Sequence, residues 1–307
     1  MARIMTKRTA PRRRVWREAT VRAGMVVPAL VLYVGLLVVP VGYAVYYSFT
    51  DYNGFPNQVP EFIGWDNYKR VFQSSDITDS MVVTGTVALA GAVLVNLAAL
   101  GLALLLQQTN RFNTFGRVVM FYPHVLSALV VGFLWQAMLG PQGVVNTMMD
   151  KVGHSSLPFL SNPTWALWSM IFVIAWSLFG VQLVLYLAGL QTIPADLIEA
   201  ARIDGAGRWQ TFRAVTWPAL APTVTVAIIT SGISLLKTYD VVVSLTGGGP
   251  AGSTQTLAYS ILAVSFPGRK IGLASAEAVV LIIAAAVLAF TVLALRRRAE
   301  EGAESIG

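Results

Sequence analysis

The sequence predicts an all-α membrane protein with six transmembrane helices and both termini in the cytoplasm. Hydrophobic residues make up 55% of the 307 residues and charged residues only 12%, whereas a soluble domain has about 25% charged residues. Six apolar runs are each long enough to span a bilayer, which takes about 20 residues. The runs are 24–48, 81–106, 118–139, 164–189, 219–243 and 271–295.

The first run is interpreted as a retained span. It is too long for the hydrophobic region of a signal peptide, and no A-x-A-like cleavage site follows it. The chain has no cysteine and only two histidines, His124 and His154, which are far apart. Disulfides and thiolate sites are therefore excluded, and neither a metal site nor a role for the histidines is expected.

The orientation follows from the distribution of lysine and arginine. Sixteen of these residues lie in the N-terminal tail and in the loops and tail on the same side, against five in the opposite loops. Since short cytoplasmic loops carry the excess of positive charge, this side is assigned to the cytoplasm. The basic tail 1–23 is then expected to fix topology and to contact anionic lipid, rather than to bind nucleic acid.

The glycine-rich stretch 245–254, LTGGGPAGST, has the glycine spacing of a phosphate-binding loop. Ser253 occupies the position of the required lysine, and Pro250 removes one backbone N–H. The stretch also follows the fifth span and is therefore predicted to lie outside the cell, as a flexible surface turn. ATP, if used, must be bound by another subunit.

The segment 187–222 connects the fourth and fifth spans on the cytoplasmic side. Pro194 suits the first turn of a short helix, and Gly205 stands where that helix would end in the left-handed conformation. A second helical piece is predicted at about 207–215, ended by Pro218. The residues alone leave two interpretations open: an amphipathic connector, or a docking surface for a partner protein.

This segment resembles the EAA loop of permease subunits of ATP-binding-cassette importers, with consensus near E-A-A-x-x-D-G-A-x(9)-I-x-L-P. The matching residues are Glu199, Ala200, Ala201, Asp204, Gly205, Ala206 and Pro218. Val215 and Trp217 depart from the consensus. Further stretches are similar to the sugar and polyol branch, which includes maltose and glycerol-phosphate permeases. They are 62–72 (FIGWDNYKRVF), the fourth span 164–189 with its exit ending LAGLQTIP at Pro194, 239–254 and 271–280 (IGLASAEAVV).

The resemblance implies a type-1 importer fold and transport by alternating access, without enzymatic activity in this chain. The implied partners are a second permease, normally in a heterodimer, two ATPase subunits that bind ATP and Mg²⁺, and an extracytoplasmic solute-binding protein. Glu199 would pair with a basic residue of the ATPase, and Gly205 would allow the bend between the docking helices. The implied location is a bacterial or archaeal plasma membrane.

The resemblance also implies four regions along the chain. They are the tail 1–23, the first span with an extracytoplasmic segment 24–80, the transmembrane core 81–296 with the EAA loop near 194–218, and the tail 297–307.

Six residues in or near the spans are candidates for the substrate path. They are Gln182, Tyr186, Ser231, Lys237, Tyr239 and Asp240. Hydroxyl, amide and aromatic groups suit a sugar, but polar groups in spans also tie helices together. Lys237 and Asp240 are predicted to share a helix face and to pair, or alternatively to reach the headgroups.

Two alternatives stay open: an importer permease for another solute class, and an ion-coupled secondary transporter. The second is disfavoured because carboxylates are scarce in mid-span and no inverted repeat is evident.

Overall fold

A computed structural model describes residues 24, 26–55, 57–108 and 110–304, so the predicted basic tail 1–23 lies outside the described residues. This part of the chain is helical and contains no β-sheet, only one bridge between Thr50 and Phe62. The helices are α1 (Val26–Ser48), α2 (Asp66–Gln73), α3 (Ser75–Leu106), α4 (Arg111–Val125), α5 (Ala128–Leu139), α6 (Val144–Lys151), α7 (Pro163–Gln191), α8 (Ala195–Ile203), α9 (Arg208–Leu236), α10 (Asp240–Leu245), α11 (257–265) and α12 (Ile271–Glu304).

Six segments are long and apolar enough to cross a membrane, as predicted. They are Val26–Ser48, Ser75–Leu106, Ala128–Lys151, Pro163–Gln191, Arg208–Leu236 and Ile271–Arg298. The last helix continues to Glu304, across the predicted boundary with the tail 297–307.

The third span differs from the prediction of one helix at 118–139, because it runs from Ala128 to Lys151, comprises α5 and α6, and is preceded by α4. The chain is extended at Leu126 and Ser127, so α4 and α5 are separate helices. Pro123 lies in the last turn of α4, where a ring without an N–H weakens the helix. The hydropathy of the sequence does not reveal this break, because the residues on both sides of it are mostly apolar.

The fifth span also begins and ends earlier than the predicted 219–243. Pro218 does not end the second cytoplasmic helix, and the prediction that it does is wrong. The reason is a π-helical turn at Phe212–Thr216, closed by a hydrogen bond from the Trp217 N–H to the Phe212 carbonyl. Pro218 therefore falls in the first turn of the following α-helix, where its missing N–H is tolerated.

The centre of the fold is formed by α3, α7 and α9, with α4 against α7 and α12 against α9. Glycines allow close contact between these helices, which is the usual way in which spans pack. A Cβ on Gly180 of α7 would lie 2.7 Å from the Phe121 Cα of α4, and a Cβ on Gly91 of α3 would lie 2.8 Å from Leu235 of α9. Helix α1 packs on α12 and keeps most of its side chains exposed.

The segment between α1 and α2 is fixed to the start of α12. The buried Asn67 side chain donates hydrogen bonds to the carbonyls of Ser48 (3.0 Å) and Thr50 (2.7 Å). The Gly272 N–H donates to the Tyr52 carbonyl at 2.8 Å. The outer ends of α1, α2 and α12 are thereby held together.

Candidate functional site

The turn after α8 ends that helix at a left-handed glycine. Gly205 has φ +80°, so the predicted left-handed stop is confirmed. The Gly205 N–H donates to the Arg202 carbonyl (3.0 Å), and the Ala206 N–H donates to the Ala201 carbonyl (2.9 Å). These two bonds form a Schellman motif, which satisfies the last carbonyls of the helix.

Helix α9 begins directly after this turn. The Gly207 N–H donates to the Gln210 side-chain oxygen at 2.8 Å, and the Thr211 N–H donates to the Gly207 carbonyl at 2.9 Å. Both helix ends that meet at the turn are therefore capped by the chain's own groups. The result is a helix–turn–helix in which α8 stands at the end of a continuous membrane span.

The surface of α8 and of the turn is uncovered. Helix α8 has no buried residue, and Glu199 and Asp204 are exposed. Large apolar side chains are exposed beside them: Ile203 by 85% and Trp209 by 71%. Glu199 forms no ion pair with any residue that the structure describes. An apolar and charged surface of this kind is typical of a protein-docking site rather than of a self-contained connector.

Tyr186 and Ser231, two of the predicted path residues, belong to a buried hydrogen-bond network. The Tyr186 hydroxyl donates to the Asn96 side-chain oxygen at 2.8 Å, and the Asn96 amide donates to the Ser231 hydroxyl at 2.8 Å. All three side chains are buried. The network joins α3, α7 and α9, so in this conformation the two hydroxyls tie spans together. Their contact with substrate stays a prediction.

Gln182 lies nearer to a polar stripe on α9. Its amide nitrogen is 3.5 Å from the Thr230 hydroxyl, and its buried side-chain oxygen has no partner in the described chain. Thr230 and Ser234 are exposed on one face of α9, and the exposed Lys237 follows at the C-cap of that helix. Because lipid tails offer no hydrogen bonds, such a stripe favours a protein neighbour or an aqueous path.

Lys237 and Asp240 do not share a helix face, and the predicted pair is wrong. Helix α9 ends at Leu236, and α10 begins at Asp240 after Tyr239 with φ −129° and ψ −53°. The two exposed side chains make no ion pair in the described structure. Tyr239 is half-buried beside the Tyr259 ring, with 6.4 Å between ring centroids.

The glycine-rich stretch is an internally hydrogen-bonded turn at the outer end rather than an open surface loop. The Thr254 hydroxyl is 2.7 Å from the Thr246 hydroxyl and donates to the Gly249 carbonyl at 2.8 Å. Thr254 itself is buried. Thr254 stands at the serine/threonine position of the phosphate-loop pattern, and its hydroxyl is occupied by hydrogen bonds within the turn.

Glu277, six residues into α12, is fully buried. The Ser265 hydroxyl donates to its carboxylate at 2.6 Å, and the second carboxylate oxygen has no partner among the described residues. The sequence offered no signal for this contact, because Ser265 lies in a separate element, α11.

Comparisons with known proteins identify the family of the chain. A family model described as "Binding-protein-dependent transport system inner membrane component" matches residues 96–300. A probable starch degradation products permease, AmyD of Thermoanaerobacterium thermosulfurigenes, is 32% identical over 90% of this chain and 93% of its own length. The diacetylchitobiose uptake permease NgcF of Streptomyces coelicolor is 32% identical over 86% of this chain and 78% of its own length.

The fold is also that of a solved importer. A chain of a bacterial ABC transporter for the acidic polysaccharide alginate superposes with a TM-score of 0.79 at 23% identity, over 93% of this chain and 99% of that chain. A chain of a bacterial alginate ABC transporter in complex with an alginate pentasaccharide-bound periplasmic protein also superposes, with a TM-score of 0.79 at 23% identity over 93% of this chain and 96% of that chain. With its six spans and the match over residues 96–300, the chain belongs to the family of binding-protein-dependent transport permeases, as a multi-pass membrane protein.

Proposed function

We propose that this chain is a transmembrane subunit of an ATP-driven importer for a sugar, an oligosaccharide or a related polyol. The observation that carries the proposal is the continuity between a membrane span and the exposed turn after α8, residues 204–207, which we call the docking turn. Helix α9 runs without interruption from Arg208 to Leu236. At 1.5 Å per residue its 29 residues extend about 43 Å, enough to cross the hydrocarbon core.

This continuity gives a mechanical route for coupling. A partner ATPase that binds α8 would move α9, a stiff helix whose other end lies next to Lys237, Tyr239 and Asp240. The network of Asn96, Tyr186 and Ser231 would pass the motion of α9 to α3 and α7. Transport by alternating access needs this kind of rigid transmission between an energy source and a gate.

The partners follow from the same proposal. Two ATPase subunits bind ATP and Mg²⁺ and receive the EAA loop, while this chain itself holds no cofactor and hydrolyses no ATP. A second permease completes the pore, as a heterodimer, and an extracytoplasmic protein delivers the solute in a bacterial or archaeal plasma membrane. Support for the solute class comes from relatives named for starch products, diacetylchitobiose and glycerol phosphate.

The test measures solute uptake by the assembled importer in cells that carry variants of α8 and of the docking turn. Glu199→Lys reverses the charge on the exposed face of α8, and Gly205→Pro cannot adopt φ +80°. Both should abolish uptake at normal expression. The matched control is Glu301→Lys, which makes the same charge change on an exposed residue of α12. Full uptake in either Glu199→Lys or Gly205→Pro would reject the coupling role.

A further inference from the structure

A cavity of about 490 Å³ opens at the extracytoplasmic end of the molecule, away from the docking turn. It lies between the first turns of α3, the glycine-rich turn, α11 and the start of α12. Spans α3 and α12 begin at Ser75 and Ile271, so the cavity is level with the outer lipid headgroups. Its volume is in the usual range for a small-molecule site.

The mouth of the cavity carries two charges of each sign. Arg70 and Lys270 lie on it with Asp76 and Asp79, and all four side chains are exposed. None of them forms an ion pair within the described part of the chain. Arg70 also interacts electrostatically with Asp66, and Lys270 with the buried Glu277. Charges of both signs around one opening are suited to a ligand that is itself zwitterionic, because each end of that ligand meets the opposite charge.

The lower wall of the cavity is apolar and opens sideways. Val82 and Val264 line it and are 68% and 48% exposed. Val82 lies seven residues into α3, which places it about 10 Å below Ser75 toward the bilayer centre. The described residues that line the cavity include no aromatic side chain. A sugar ring would therefore find no stacking partner, whereas an acyl chain would find an apolar surface.

Hydroxyl groups line the inner side of the cavity. The Ser253 hydroxyl is buried and has no partner among the described residues. The Ser265 hydroxyl donates a hydrogen bond to the buried Glu277, so its oxygen can still accept one. These groups suit the ester and glycerol oxygens and the ammonium hydrogens of a lipid headgroup.

We propose that this cavity binds a zwitterionic phospholipid whose headgroup carries a phosphate and a primary ammonium, as in phosphatidylethanolamine. Arg70 and Lys270 bind the phosphate, and Asp76 and Asp79 accept hydrogen bonds from the ammonium. An acyl chain of the lipid lies along Val82 and Val264. The site is independent of the proposed solute and of the docking turn.

The first test is native mass spectrometry of the full-length chain, purified in detergent and titrated with defined lipids. Wild type should bind phosphatidylethanolamine more tightly than phosphatidylcholine, whose quaternary ammonium has no N–H to donate. Arg70→Gln with Lys270→Gln should weaken binding of phosphatidylethanolamine about tenfold or more. Asp76→Asn with Asp79→Asn should remove the preference for it over phosphatidylcholine.

The matched control is Lys69→Gln. Lys69 is exposed beside Arg70, pairs with Asp66 at 2.8 Å and does not line the cavity. This variant should bind lipid as wild type does. Equal binding by wild type, the control and both cavity variants would overturn the proposal.

A second measurement needs no substitution. Photoactivatable phosphatidylethanolamine in vesicles that contain the wild-type importer should label peptides within 70–83 and 251–273. Soluble phosphoethanolamine at millimolar concentration should not compete, because it lacks the acyl chains that contact the apolar wall. Labelling confined to other regions, or displaced by the solute-binding protein, would mean that a lipid is not the occupant.

Discussion

Removal of one hydroxyl tests the interhelical network in the middle of the fold. In Tyr186→Phe the ring still fills its buried place, but the Asn96 side-chain oxygen loses its partner at 2.8 Å. No other described group donates to that oxygen. A buried acceptor left unpaired costs about 1–3 kcal/mol, and interhelical bonds measured in a membrane protein reach about 1.7 kcal/mol. The expected loss of unfolding free energy is therefore about 1–1.7 kcal/mol.

The assay is graded unfolding of the purified chain in mixed micelles. Tyr122→Phe is the matched control, because Tyr122 is exposed on α4 and its hydroxyl makes no hydrogen bond within the described structure. A Tyr186→Phe protein as stable as the Tyr122→Phe protein would refute the network. If Tyr186→Phe instead raised the KM for uptake at unchanged stability, the hydroxyl would belong to the substrate path.

Two further predictions concern packing and a buried carboxylate. Gly180→Val should lower the unfolding free energy by about 1–3 kcal/mol, because a Cβ there would lie 2.7 Å from the Phe121 Cα. The control Gly101→Val has open space around its Cβ and should not lower it. Equal melting temperatures of the two variants would contradict this contact. Glu277→Gln keeps an acceptor for Ser265 and removes a carboxyl group that is costly to bury in its charged form. The unfolding midpoint of this variant should therefore match or exceed that of wild type. A clear decrease would mean that the carboxylate stabilises the fold.

The positions of the spans could be predicted because each needs a long apolar run. The breaks within them could not. Leu126 and Ser127 separate α4 from α5. Pro123 weakens the last turn of α4, but membrane helices often tolerate a proline, so its presence does not by itself predict a break. The ending of α9 before Lys237 likewise removed a pair that sequence spacing had suggested.

The docking turn was predictable to a greater extent because its geometry is local. The left-handed conformation of Gly205 follows from a helix end in which only glycine is unstrained. The prediction that Pro218 ends a helix failed for a local reason as well. A π-helical turn absorbs one extra residue, and the sequence alone does not show where such a turn forms.

The buried polar groups illustrate what sequence cannot supply. Asn96, Tyr186 and Ser231 could be recognised as polar residues within spans, but not as partners, since Asn96 and Ser231 are 135 residues apart. The same holds for Glu277, whose partner lies across a turn from α12. Such contacts depend on the packing angle of helices, which hydrophobic patterns leave undetermined.

The central claim is that the exposed turn after α8 couples this permease to a separate ATPase. The most direct measurement is affinity purification of the tagged full-length protein from native membranes, with mass spectrometry of the proteins that accompany it, for wild type, Glu199→Lys and Glu301→Lys. We expect an ATP-binding subunit and a second permease with wild type and with the Glu301 variant, and loss of the ATP-binding subunit with Glu199→Lys. A stable, folded wild-type protein recovered without a nucleotide-binding partner, or equal recovery of that partner with Glu199→Lys, would contradict it.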